Sequence, residues 1–296
     1  MNIPVAVWVT RLDSADIEIH PVSLPASIVS LDAASSSLPG GAYTTLRTYQ
    51  GDRTLPLKDQ LQRLEQSARL AGKPIQLDEL GLRSALRSAI AQAREQFQQV
   101  PVAARPADDL RLRLTLDLEA NPGDVYLAVE PLDVPPPGAY LEGVSIITCT
   151  LQRLLPEAKL TRFIARSRPI RQSLSAGINE AVMVDAQGYI LEGLTSNFFG
   201  ISQGEIHTAG QAVLAGITRG LALECARRLE LPVRLQAVHM SELPSIQEAF
   251  LTSSSRGVLP VCRVDAIRIG SEKPGPLTRW LMQVYEEPIQ ERSEPV

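Results

Sequence analysis

The chain has 296 residues, enough for two domains of ordinary size, and with 44% apolar against 21% charged residues it has the balance of a soluble globular protein, which excludes a disordered chain. A net charge of −4, from 29 basic and 33 acidic residues, excludes a general electrostatic pull on nucleic acid and points to a small-molecule partner. Cys149, Cys225 and Cys262 are scattered without CxxC spacing, and His20, His207 and His239 are equally dispersed, so neither a metal site nor a His-dependent triad is legible. The opening MNIPVAVWVTRLD lacks a basic lead, and no later run is long enough to span a bilayer. A cytoplasmic protein with reduced thiols and no membrane or nucleic-acid partner is expected.

In chain order, residues 4–10 (PVAVWVT) read as a strand and 26–41 as a small-residue loop closed by two glycines. The β-branched and aromatic run over 42–49 predicts a strand. Leu57, Leu61, Leu64 and Ala68 recur at helical spacing, predicting a helix over 57–71 that Gly72 and Pro74 stop. A second helix is predicted over 78–98, with Leu82, Ala85, Leu86 and Ile90 on one face. The alternation in LRLRLTLDL predicts a half-buried strand over 110–118. Pro135, Pro136 and Pro137 hold the chain extended, so residues 134–140 read as a linker between domains 1–133 and 141–296. Beyond it come a strand over 143–150, a helix over 163–176 interrupted near Pro169, and a hairpin turning at Gln187-Gly188 whose return strand delivers Glu192. A helix over 216–229, strands over 248–252 and 263–269, and a closing helix over 275–285 complete the pattern.

The stretch Glu180–Arg219 concentrates chemistry. It carries a lone acid, Glu192, on a hairpin, and a helix start at Gly216-Ile217-Thr218 whose free N–H groups favour an anion. An acid and an anion cradle so close in sequence suggest a ligand with both a basic nitrogen and a phosphate. Taken singly, each feature has an ordinary reading. Lys159 reads as a surface lysine, Glu192 as a solvated hairpin acid, and Arg63 as the partner of Asp59 one turn earlier.

Taken together, in this order and at these spacings, they resemble the class IV aminotransferases, the fold-type IV pyridoxal 5'-phosphate (PLP) enzymes that include branched-chain and D-amino-acid aminotransferases and aminodeoxychorismate lyase. Gly41–Arg47 (GAYTTLR) is similar to the family's glycine-aromatic-x-Thr-x-Arg strand, and Gln60–Ala68 to its His-Leu-x-Arg-Leu-x-x-Ser-Ala helix. Arg153–Lys159 (RLLPEAK) is similar to the segment leading to the Schiff-base lysine. Leu191–Phe198 (LEGLTSNF) is the most specific match, followed by Gly216–Arg219 (GITR) and Phe250–Ser254 (FLTSS).

The resemblance implies an α/β (α+β) fold with a small α/β N-terminal domain and a pseudo-barrel C-terminal domain carrying the Schiff-base lysine, with PLP as cofactor and a homodimer as the assembly. It implies Lys159 as the catalytic lysine. Glu192 falls on the acid that meets the pyridine nitrogen; Ser196 and Asn197 belong to the same motif. Arg63, the Ile217 and Thr218 amides and Ser254 fall on the phosphate. Leu38, Arg111, Ser255 and Arg256 fall around the substrate; equally, Arg111 could face solvent from its strand and Arg256 be a solvated loop arginine. The reaction implied is exchange of an amino group between an amino acid and a 2-oxo acid; the alternatives are the lyase reaction that forms 4-aminobenzoate and pyruvate, and a non-catalytic family member. Three departures stand out: Gln60 replaces the helix histidine, Arg162-Phe163 replaces the Asn-Tyr that often follows the lysine, and Leu38 replaces an aromatic.

Overall fold

The computed structural model describes residues 5–11, 18–99 and 108–296. It divides into two compact units: Met1–Asp133 with Ala158–Arg166 and Arg292–Val296, and Val134–Glu157 with Ser167–Glu291.

The first unit is a five-stranded antiparallel sheet packed on two helices. Its elements are β1 (Ala6–Thr10), β2 (His20–Pro21), α1 (Leu31–Ala34), β3 (Gly41–Arg47), β4 (Arg53–Thr54), α2 (Leu57–Leu70), α3 (Glu79–Gln98), β5 (Leu110–Asp117) and β6 (Val125–Pro131), with sheet order β2-β1-β6-β5-β3. Pro4, first residue of the expected opening strand, lies outside the described residues. The apolar face of α2, Leu57, Leu61, Leu64 and Ala68, is buried against that core, each leucine contributing about 1.5–3 kcal/mol. Asp78 starts α3 by accepting from the Leu80 and Gly81 N–H groups, a cap of about 1 kcal/mol.

Two expectations fail here for one reason. β5 is buried on both faces rather than half-buried, and the 26–41 loop contains a helical turn, α1. The polar face of β5 is covered: Arg113, 6% exposed, donates to Leu31 O and Ser35 Oγ and pairs with Asp32 at 2.8 Å, so a strand that alternates in sequence is roofed by its own arginine's partners. Strand β6, which pairs with β5 from Leu110↔Pro131 to Leu116↔Val125, has no counterpart in the sequence expectation.

The second unit is built on α4 (Pro137–Glu142), β7 (Val144–Cys149), α5 (Thr161–Gln172, whose first turns belong to the first unit), β8 (Ile178–Val184), β9 (Tyr189–Gly193), β10 (Asn197–Ser202), β11 (Glu205–His207), α6 (Ile217–Arg228), β12 (Val233–Arg234), β13 (Val238–His239), β14 (Glu248–Ser253), β15 (Gly257–Val264), β16 (Ile267–Arg268) and α7 (Pro276–Arg292). Its main path runs β10-β14-β15-β7-β8-β9, and β9 pairs again with β10, so six strands close on themselves as a pseudo-barrel. The β7–β8 and β15–β7 pairs are parallel; the connection from β7 to β8 runs through α5, as a parallel pair requires. Closure is at the pair Asn197↔Glu192. Phe198, Leu251, Leu259 and Ile146 fill the interior core, and Phe199 stacks on Phe250 with ring centroids 4.6 Å apart.

Several boundaries differ from expectation. Part of the expected linker is helical in α4, α5 passes through Pro169 instead of breaking there, β15 occupies 257–264 where a strand over 263–269 was expected, and β10 and β11 were not anticipated. The last strand, β17 (Glu294–Pro295), pairs with β4 in the first unit. The lysine segment differs too. Ala158–Arg166 was expected with the C-terminal domain but packs in the first unit, because Ala158 and Leu160 are buried in that unit's core.

Candidate active site

Lys159 is positioned by its neighbours. β3 is the edge of the first unit's sheet, and the lysine segment adds to it: Tyr43 N–H donates to Lys159 O at 2.9 Å, Gly41 N–H donates to Thr161 Oγ1 at 2.9 Å, and Ala42 and Leu160 form a bridge. From α2, Ser67 Oγ accepts from Lys159 N–H at 3.0 Å and donates to Arg63 O at 2.8 Å. One helical turn thus sets Arg63 and Ser67 beside the lysine. Flanking residues in an extended segment point the opposite way, so burial of Ala158 and Leu160 directs the lysine out of the core. Its Nζ lies 4.9 Å from the centre of the Tyr43 ring, and the Arg113 guanidinium carbon lies 4.9 Å from the same centre.

Among the described residues Arg63 has only neutral side-chain hydrogen-bond partners. Its Nη2 donates to Gln60 Oε1 at 2.9 Å and to Thr44 Oγ1, and the Thr44 hydroxyl donates to Gln60 Oε1 at 2.6 Å. The side chain keeps some exposed surface, yet Nε is buried without an acceptor among the described residues. The pairing with Asp59 that helical spacing allows is not formed. Burial pushes the guanidinium below the usual arginine range, down to about 10, with Tyr43 a smaller opposing influence. A cation desolvated this way is stabilised by an anion brought to it.

In the second unit the barrel closure sets Glu192 and Asn197 opposite each other on adjacent strands, where side chains share a face. Glu192 is 2% exposed. Its Oε1 accepts from Arg153 Nε at 2.7 Å; its Oε2 accepts from Asn197 Nδ2 at 3.1 Å and from Leu214 N–H at 3.1 Å. Asn197 Nδ2 also donates to Leu214 O at 2.9 Å, so one amide ties the acid to the loop that enters α6. Gly216 caps α6 without a side-chain hydrogen bond, and a Cβ there would collide with Asn197 Oδ1. The motif glycine is therefore required sterically, and the Ile217 and Thr218 N–H groups open the helix with no capping side chain.

The structure brings the sequence candidates together as two groups. Lys159, Arg63 and Ser67 form one; Glu192, Asn197 and the start of α6 form the other, with Ser196 Oγ donating to buried Glu180 at 3.3 Å. Ser254 and Ser255 lie in the β14–β15 turn. The substrate candidates fare differently. Arg111 pairs with Glu130 at 2.7 Å, Arg256 pairs with Glu180 at 2.9 Å, and Leu38 packs against the Val5, Val7 and Leu31 cluster. Neither arginine is a solvated side chain. Sequence reasoning assigned no role to Arg153, Glu180, Thr44 or Gln60, although Arg153, Thr44 and Gln60 each lie within a matched motif, RLLPEAK, GAYTTLR and Gln60–Ala68. Among the described residues no group of three or more His, Cys, Asp or Glu side chains could hold a metal, and no helix is long and apolar enough to cross a membrane.

Each unit by itself holds residues that fit PLP: in the first a buried cation suits a phosphate, and in the second an uncapped helix start suits an anion and a buried carboxylate held from the side suits a protonated ring nitrogen. The sequence profile of the family "Amino-transferase class IV" matches residues 41–264. A Thermotoga maritima protein named "Probable branched-chain-amino-acid aminotransferase" is 29% identical over 268 residues, covering 87% of this chain and 90% of that protein. Among solved structures, a hypothetical aminotransferase from Mycobacterium tuberculosis in its PLP-bound form superposes with a TM-score of 0.71 at 24% identity, covering 96% of this chain and 99% of that one. A fold IV transaminase from Curtobacterium pusillum does so with a TM-score of 0.72 at 21% identity, covering 95% and 99%. At those identities the two structures speak for the fold, and the profile, spanning most of the chain, speaks for the family. The chain belongs to the class IV aminotransferases and is a PLP-dependent transaminase.

Proposed function

We propose that this transaminase exchanges an amino group between an amino acid and a 2-oxo acid with Lys159 as the lysine that carries the cofactor. Glu192 serves as the partner of the ring nitrogen, and Arg63, the start of α6 and Ser254 serve as the phosphate ligands. The observation that carries the reading is the carboxylate of Glu192, buried at 2% exposure and fastened through Asn197 and Leu214 to the entrance of α6.

When bound, PLP supplies a carbonyl for the incoming amino group and a cationic ring that withdraws electrons from the substrate Cα. Glu192, itself held from the side by Arg153, keeps the proton on the ring nitrogen. The Lys159 amine, freed by the substrate amine, would take up the Cα proton and pass it to the cofactor C4′ carbon, and in the second half of the exchange would carry a proton the other way. Arg63, which no acid balances among the described residues, would bind and orient the phosphate, with the α6 amides proposed as further donors to it. Phe163, buried at 5% exposure, presents no hydroxyl to the ring oxygen. A branched-chain amino acid is the first donor class to test, being the one named for the Thermotoga maritima relative. We also propose a homodimer working in the cytoplasm, on family grounds.

The test is reduction of the holoenzyme with borohydride, followed by peptide mapping. The pyridoxyl group is expected on Lys159; its appearance on another lysine overturns the assignment. Turnover without a 2-oxo acid would instead identify the lyase reaction.

A further inference from the structure

Arg256 follows the Ser253-Ser254-Ser255 turn, and its side chain is 13% exposed. Its donors reach three parts of the second unit. Nε donates to Ser253 Oγ at 2.9 Å within its own turn, Nη1 to Asn179 Oδ1 at 3.0 Å and Nη2 to Glu180 Oε2 at 2.9 Å at the start of β8, and Nη2 again to Thr195 Oγ1 at 2.7 Å in the β9–β10 turn. The main chain of Arg256 is fastened as well: its N–H donates to Ser253 O at 3.2 Å and its O accepts from Tyr140 Oη at 2.9 Å. Gly257 follows at φ +60°, a conformation that suits glycine.

A guanidinium has five N–H donors, and a carboxylate is gripped by two parallel ones. Four of the five are engaged here, which leaves neither edge of the fork open. Glu180, 2% exposed, gathers the other end of the network: it accepts from Thr195 N–H and Ser196 Oγ, each at 3.3 Å, and from the Thr195 hydroxyl. Ser196 is followed by Asn197, which holds Glu192.

We propose that Arg256 is a positioning residue that locks the Ser253–Gly257 turn to the Thr195-Ser196-Asn197 segment, acting on the cofactor phosphate through Ser254 and not on a substrate carboxylate. This rests on the reading of Ser254 as a phosphate ligand. The role is specific to a chain with arginine here: a small residue would leave the turn and Glu180 to other partners.

The experiment follows release of cofactor from purified holoenzyme, loaded with PLP or with pyridoxal, for the wild type, R256A, S254A and the double variant R256M/E180Q, with KM measured at saturating PLP. R256A is expected to release PLP about tenfold faster, to leave pyridoxal release within about twofold, and to keep both KM values within about threefold. If R256A folds poorly because Glu180 is left alone, R256M/E180Q removes both charges and is expected to show the same selective loss of PLP. A KM raised about tenfold or more with PLP release unchanged makes Arg256 a substrate ligand and overturns the proposal. Equal acceleration of PLP and pyridoxal release also overturns it, as a general loosening of the unit. S254A that holds PLP as firmly as the wild type removes Ser254 from the phosphate and with it the proposed route; R256A then reports separately on whether Arg256 acts on the phosphate at all.

Discussion

Arg63 and Glu192 are both buried charges, and the chain treats them in opposite ways. Glu192 is surrounded by partners from its own unit: Arg153, Asn197 and the Leu214 N–H. Arg63 is held by two neutral groups, Thr44 and Gln60, and no carboxylate balances it among the described residues. The first charge is matched within the protein, which orients it and suits the proposed role beside a ring nitrogen. The second is balanced by no acid among the described residues, which suits the proposed role as a phosphate ligand. A buried cation without an anion costs stability; a cofactor that binds the native state returns it by mass action.

The comparison can be broken most forcefully at Glu192. Replacing it with Gln strips the buried partner from Arg153, and we expect a loss of about 3–5 kcal/mol in unfolding free energy, read from the denaturant midpoint of cofactor-free protein. A loss under about 1 kcal/mol would mean that the ion pair with Arg153 contributes little to stability. The same substitution should also lower transamination by about a hundredfold or more, because a neutral amide cannot keep the ring nitrogen protonated.

Arg63→Met should act in the reverse sense on the empty protein. The folded-state pKa of about 10 lies below that of a free guanidinium, so the charge is a full cost to folding at neutral pH, a cost relieved as pH rises above about 10. Discounted for partial exposure, cofactor-free R63M is expected to gain about 1–2 kcal/mol at pH 7, with Thr44 and Gln60 still bonded to each other. PLP affinity should nevertheless fall about 10- to 100-fold by fluorescence titration. A variant that loses stability and affinity together would show that Arg63 is an ordinary structural arginine.

Gln60→His sharpens the same point with a smaller effect. A neutral histidine can accept from Arg63, but a protonated one repels it, so the weakening of PLP binding from pH 8 to pH 5.5, which protonation of the phosphate itself brings about in any variant, should be a few-fold larger in Q60H than in the wild type. The smallest effect isolates burial without an ion pair. Burial pushes the Cys225 and Cys262 thiols up to about 11, which leaves about one thiolate in a thousand at pH 8. Both should react with iodoacetamide more slowly than half-buried Cys149, as timed by mass spectrometry of peptides; faster reaction at Cys225 would mean that the core of α6 opens readily.

Legibility in the sequence followed the range of the interactions. The helices α2 and α3 could be read because a helix displays its buried face at fixed local spacing, as with Leu57, Leu61 and Leu64. β5 was misread as half-buried because alternation reports residue polarity, not whether Asp32, Ser35 and Leu31 fold over the polar face and satisfy Arg113. β6 and β10 were missed because each is buried on both faces and so lacks the alternation that marks a half-buried strand, and its pairing partners are supplied from elsewhere in the chain. Of the site, the motifs around Glu192 and Gly216 were legible because steric demands keep their residue types close in sequence, Gly216 beneath Asn197 being the clearest. The surroundings of the substrate candidates were not: nothing near Arg111 or Arg256 in sequence signals their pairing with the distant acids Glu130 and Glu180.

The sequence by itself determined the family, the candidate lysine, acid and phosphate-binding residues, and the helices whose periodicity is local. Tertiary structure decided the rest: that the lysine segment packs on the edge of β3 with Arg63 beside it, that six strands close at Glu192 and Asn197, and which arginines are matched by acids. The physical reason is common to all three. Burial and charge pairing depend on contacts between residues far apart in the chain, and no local pattern of residue types encodes which distant side chain will arrive.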